Sequence, residues 1–208
     1  MTVYTAIIGD IDDLLPTREG IAWVENARRS PGWAINQVKR QFADPRRESR
    51  LYKILSHQWV TGTSIWIDGT IQLKVNPEEL TQYLGENDMA AFRHPSNDCA
   101  LREAEIVARV GKATEESLRQ AERYERAGFP RHNGMMACGV LVRRHNEAVE
   151  RFNDMWWSEY CRGCVRDQVS FNYVLWKTGM KCSVIPGDLY NNRFIKKVSH
   201  KNRGVLYS

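Results

Sequence analysis

The feature that most constrains this chain is an alternation. Short apolar runs rich in β-branched residues, each bounded by turn residues, are separated by stretches of helical periodicity. That order predicts a single α/β domain over residues 1–208, with a central, mostly parallel sheet flanked by helices. Val3 to Ile8 predicts a first, buried strand, and Ile21 to Val24 a second. The segment through Ser30-Pro31-Gly32 reads as irregular and the stretch to Phe42 as ambiguous. Pro45 to Trp59 predicts a helix with proline in its permitted first turn. Thr63 to Asp68-Gly69 is a short strand, and a helix over 77–84 and a strand over 89–92 follow. A long polar helix over about 98–127, a strand at 140–142, helices over 147–160 and 166–176, and a closing strand over 182–185 complete the reading.

Composition excludes other classes. Seven Trp, eight Tyr and six Phe supply more burial than a disordered, solvating chain carries. No run reaches the roughly 18 continuous apolar residues that a membrane span needs. Met1 to Ile8 lacks the basic region of a signal peptide, so the expected location is cytoplasmic. Five irregularly spaced cysteines fit reduced thiols, and the lone Cys161-x-x-Cys164 lacks the second pair of a zinc site. The net charge of +5 suits a phosphate-bearing small molecule as well as a nucleic acid, so its placement matters more than its size.

Four placements stand out. Arg46, Arg50, Lys53 and His57 follow i, i+4, i+7, i+11 and stack on one predicted helix face, with Leu51, Ile54 and Leu55 opposite. Glu48 is the only acid on that helix, so the stripe repels itself unless an anion such as a pyrophosphate sits on it. Asp68-Gly69 places a carboxylate at a strand exit beside a residue without a side chain, where a phosphate can approach; a simple capped turn is the alternative. Asp167 and Gln168 open an aromatic-rich helix, where an acid either caps the helix or points into a cleft. Arg193, Lys196, Lys197, Lys201 and Arg203, with His200 among them, form an acid-free tail that suits a nucleic acid or folds over a bound phosphate.

Taken in order, Tyr4-Thr5-Ala-Ile-Ile-Gly9-Asp10, then Asp44 to His57, Ser64-Ile-Trp-Ile-Asp68-Gly69, Arg166-Asp167-Gln168-Val-Ser-Phe171 and Arg193-Phe194-Ile-Lys-Lys-Val-Ser-His200-Lys201 resemble the plant mucilage- and turgor-related glycosyltransferase-like family. The resemblance implies a GT-A, Rossmann-like domain, and an enzyme that moves a sugar from a nucleoside-diphosphate sugar, UDP-linked, to an acceptor hydroxyl. It implies a divalent metal, Mn2+ or Mg2+, at Asp68 and His200, and Asp167 as the catalytic carboxylate. Donor contacts are expected from Thr5, Gly9, Asp10, Arg46, Arg50, Lys53, Gly69, Gln168 and Lys201, with the basic segment 188–208 closing over the donor, and His94 is expected on the acceptor side. The acceptor is a glycan or a modified base in phage-type DNA. Two other readings compete: a phosphoesterase or nuclease holding two cations on Asp10, Asp12 and Asp68, and a noncatalytic nucleic-acid-binding module driven by the tail.

Overall fold

A computed structural model describes residues 1–26, 28–109 and 115–201. Its elements run β1 (Thr2–Ile7), β2 (Gly20–Val24), β3 (Trp33–Gln37), α1 (Pro45–Ile54), β4 (Thr63–Ile67), β5 (Ile71–Leu73), α2 (Pro77–Thr81), β6 (Met89–Arg93), α3 (Ala100–Arg109), α4 (Glu115–Arg126), β7 (Met136–Arg144), α5 (Glu147–Cys161), α6 (Asp167–Thr178), β8 (Cys182–Asp188) and β9 (Ile195–Lys197).

Seven strands form one sheet in the order β3-β2-β1-β4-β7-β6-β8, and β5 pairs with β9 in a small second sheet. Strand β7 is antiparallel to both neighbours, and every other pairing in the large sheet is parallel. The two-residue alternation of the strands divides the core into two layers. Trp66, Leu141 and Ala91 face the aromatic layer under α1, α3, α5 and α6, with Tyr4, Trp156 and Phe171. Ile65, Ile67, Val140, Val142 and Phe92 face the other layer, with Leu80, Leu84 and Phe194. None of the helices among the described residues is long and apolar enough to cross a membrane.

Three sequence expectations change. The ambiguous stretch before Phe42 contains β3, an edge strand that buries little. The helix expected over 45–59 ends at Ile54 and gives way to a 3-10 turn at Ser56–Gln58. The long polar helix resolves into α3 and α4, and residues 110–114 of that expectation lie outside the described residues. Chain order reverses beside β1, which pairs with β2 on one side and β4 on the other. Open α/β sheets bind ligands beyond the carboxyl ends of the strands at such a switch point.

Candidate active site

At that point lies a cleft of about 730 Å³, lined from the loop after β1 (Ile8, Ile11, Asp12), α1 (Pro45, Arg46, Ser49, Arg50, Lys53), the turn after β4 (Asp68, Gly69, Thr70), and His94, Cys138, Arg166, Asp167 and Gln168, with Tyr190 and Lys197–His200 completing the wall. Helix α1 aims its basic face there because Asp44 caps its first turn, accepting from the Arg46 amide at 2.8 Å, and Leu51 and Ile54 anchor the opposite face. Glu48 is fully buried on the core side, accepting from the Gln41 and Phe42 amides, so it does not neutralise the stripe. His57 leaves the stripe: the helix has already ended, and its ring meets Asn153 and Asp154 instead.

The floor is a quartet of charges. Lys53, almost fully buried, places Nζ 2.5 Å from Asp167 Oδ2 and 3.1 Å from Asp68 Oδ1, and Arg50 Nε lies 3.0 Å from the same Asp167 oxygen. The Trp66 indole N–H donates to Asp68 Oδ1 at 2.8 Å. Burial alone would raise both carboxyl pKa values, but Arg50 and Lys53 outweigh it and hold Asp167 and Asp68 below the usual carboxylate range. Both acids are therefore ionised near neutrality, and Asp167 is a weak proton acceptor. Burial pushes the nearby Cys138 thiol well above its ordinary value, so it stays protonated.

Gly69 is required by space: a Cβ there would lie 2.5 Å from Ile7 Cδ1 and 3.2 Å from Asp12 Oδ2. The Asp12 carboxylate in turn sits 2.7 Å from His200 Nδ1. A carboxylate on one ring nitrogen is the usual means of orienting a histidine whose other nitrogen binds a metal. Among the described residues no group of three or more His, Cys, Asp or Glu side chains is placed to hold a metal. Asp68 and His200 both line the cleft, and a closed protein metal site is not assembled around them among the described residues.

On the opposite wall, His94 Nδ1 accepts from the Ser96 amide, and burial, with Arg166 nearby, lowers its pKa despite Glu103. A neutral ring then directs Nε2–H away from that bond. The Gln168 amide nitrogen and the Arg166 guanidinium both donate to Glu103 Oε1 at 3.0 Å.

Of the residues singled out from the sequence, Arg46, Arg50, Lys53, Asp68, Gly69, His94, Asp167, Gln168 and His200 line this one cleft. Thr5 does not: it is buried in the sheet and donates to the Ile67 carbonyl. Gly9, at φ 73°, turns the chain beside Pro45 and gives its amide to Glu25. Asp10 pairs with Arg28 at the exposed rim, and Lys201 pairs with Asp13, outside the lining. With Asp10 turned away, the three-acid arrangement of a two-cation nuclease is not assembled among the described residues. From the segment 188–208, Leu189, Tyr190 and Lys197–His200 do line the cleft, while Arg203 lies outside the described residues. Sequence reasoning assigned no role to Glu103 and missed the pairing of Asp12 with His200, which only the fold brings together.

This architecture is that of the GT-A glycosyltransferases. The apo bifunctional glycosyltransferase WbbM superposes with a TM-score of 0.52 at 13% identity, over 89% of this chain and 38% of that one. Mouse xyloside xylosyltransferase 1 gives 0.50 at 11% identity, over 88% and 84%. Residues 12–201 match the model of the TOD1/MUCI70, glycosyltransferase-like domain, and the chain belongs to that family. It is 29% identical over 154 residues to the probable hexosyltransferase MUCI70 of Arabidopsis thaliana, an alignment covering 67% of this chain and 26% of that relative. The chain thus matches about a quarter of the curated relative's length.

Proposed function

We propose that this domain transfers a sugar from a nucleoside-diphosphate sugar, UDP-linked, to a hydroxyl of a glycan acceptor. The observation that carries the reading is the convergence of Arg46, Arg50 and Lys53 with Asp68 and Asp167 in one cleft at the switch point of the sheet. Breaking the anomeric bond leaves negative charge on the diphosphate, and preorganised cations stabilise that charge without reorganising in the transition state. Arg46, Arg50 and Lys53 would face the diphosphate, and Asp68 and His200 would hold a divalent cation, Mn2+ or Mg2+, which supplies Lewis-acid stabilisation of the same oxygens. Asp167, ionised and fixed by two cations, would act as the stationary negative charge facing the oxocarbenium-like sugar, not as a proton acceptor. His94 would lie on the acceptor side. The enzyme would work in the cytoplasm.

Unfolding followed with UDP and a panel of UDP-hexoses, with and without Mn2+, tests this. A true donor at about thirty times its Kd stabilises the fold by about 2 kcal/mol, and that gain should depend on the metal and vanish in Asp68→Asn. If no nucleotide sugar shifts the transition or is hydrolysed, the proposal fails.

A further inference from the structure

Glu103 does not line the cleft, yet it is buried (6% exposed) directly behind two residues that do. Its carboxylate accepts three side-chain hydrogen bonds: from Arg166 and Gln168 on Oε1, both at 3.0 Å, and from Asn97 on Oε2 at 3.1 Å. These donors come from different parts of the chain, Asn97 from the loop after β6 and the other two from the start of α6. Burial alone would raise the Glu103 pKa, but the Arg166 charge, the hydrogen bonds from Arg166 and Asn97, and His94 outweigh it and hold the pKa below the ordinary value, so the carboxylate is an acceptor only.

An amide has one donating and one accepting end, and an ionised carboxylate can face only the donating end. Gln168 is further fixed at its backbone, where its carbonyl accepts from the Asn172 side-chain amide at 2.7 Å and its N–H donates to Asp167 Oδ1 at 3.1 Å. With the nitrogen on Glu103, the Gln168 oxygen is left without a hydrogen bond among the described residues, and Gln168 is one of the residues that line the cleft. An amide flip would set oxygen against oxygen at Glu103 and present N–H groups to the cleft instead.

We infer that Glu103 is a positioning residue that holds the Gln168 amide with its oxygen toward the cleft, where that oxygen accepts a hydrogen bond from a hydroxyl of the bound sugar. The inference rests on the glycosyltransferase reading above. It makes the site selective for a sugar that offers a hydroxyl donor at that point, and it places that selectivity in a carboxylate that never touches the ligand.

The test is a double-mutant cycle read as an affinity ratio. With Mn2+ present, titration calorimetry gives Kd for UDP and for whichever of UDP-glucose, UDP-galactose and UDP-N-acetylglucosamine binds most tightly; their ratio isolates the sugar. The nearly isosteric Glu103→Gln, which frees the Gln168 amide to turn, is expected to reduce the ratio about tenfold. Gln168→Ala should reduce it by about the same factor, and the double variant no further than either alone, because Glu103 acts through Gln168. Losses that multiply, or a ratio unchanged by Glu103→Gln, overturn the inference and leave the glycosyltransferase reading standing. If the wild-type protein binds no nucleotide sugar, both fall. The side-chain amide of Gln168 in the wild-type protein gives a second measurement that needs no variant. The amide proton bonded to Glu103 should be protected from solvent exchange, and exchange of both amide protons at the rate of a free amide overturns the inference.

Discussion

The two ends of the sheet treat buried charge in opposite ways. At the carboxyl ends of β1 and β4, Lys53 and Arg50 meet Asp68 and Asp167 in a compensated quartet bordering open space. Toward the amino ends, Arg143 is fully buried, and its partners are neutral: the Tyr4 hydroxyl, the Asn153 amide oxygen and the Lys53 carbonyl. Beside it, His145 shares a hydrogen bond with Ser64, and none of these side chains reaches the cleft. A carboxylate that neutralises a cation next to open space can yield part of that role to an incoming anion. Neutral acceptors in a closed core cannot be exchanged in this way, so the surroundings of Arg143 suit packing, whereas those of the quartet suit the donor-binding role proposed for it.

The sharpest way to break this contrast is Lys53→Met. It leaves two carboxylates facing Arg50 alone and should cost about 3–5 kcal/mol of stability in urea unfolding. It should also weaken UDP binding about 10- to 100-fold by calorimetry, the loss of a charge-assisted hydrogen bond. Binding within twofold of wild type would remove Lys53 from the site. Arg143→Met comes next. Stranding the Tyr4, Asn153 and Lys53 acceptors should cost about 2–4 kcal/mol, with UDP affinity of the folded protein within about threefold. A tenfold loss of affinity would show the two ends to be coupled.

The smallest effect is a pH dependence. Burial, reinforced by Arg143 and His57, lowers the His145 pKa to about 3. Between that value and the roughly 6.5 of an unfolded histidine, the unfolded chain binds more protons, so stability rises with pH across this window. From pH 7 to pH 5 the protein should lose about 1–2 kcal/mol to this group, solvent screening allowed for. His145→Gln should flatten that part of the curve; an unchanged slope would mean that His145 is not the source.

Legibility in the sequence followed locality. The β-branched runs exposed β1, β2 and β4, and the fourfold spacing brought Arg46, Arg50 and Lys53 to one face, because both signals are written within a few residues. His57 fitted the same spacing and still left the face, since periodicity cannot show that α1 ends at Ile54. β3 escaped because an edge strand with exposed Ala34, Asn36 and Gln37 has no apolar run. Strands β5 and β9 are three residues each, too short for a pattern. Glu103 behind Gln168, and Asp12 beside His200, depend on contacts across 65 and 188 residues, and no spacing rule spans those distances.

Strand β7 also bears on how the chain assembles during synthesis. The inner edge of β4, with Ile65 and Ile67, is covered only when Val140 and Val142 arrive more than seventy residues later. At ribosomal speeds of about 5–20 residues per second, that apolar edge stays open for roughly 4–15 seconds. An unpaired strand edge invites pairing with other chains. The nascent chain is therefore most exposed to aggregation, and most in need of a holding chaperone, between the emergence of β4 and that of β7.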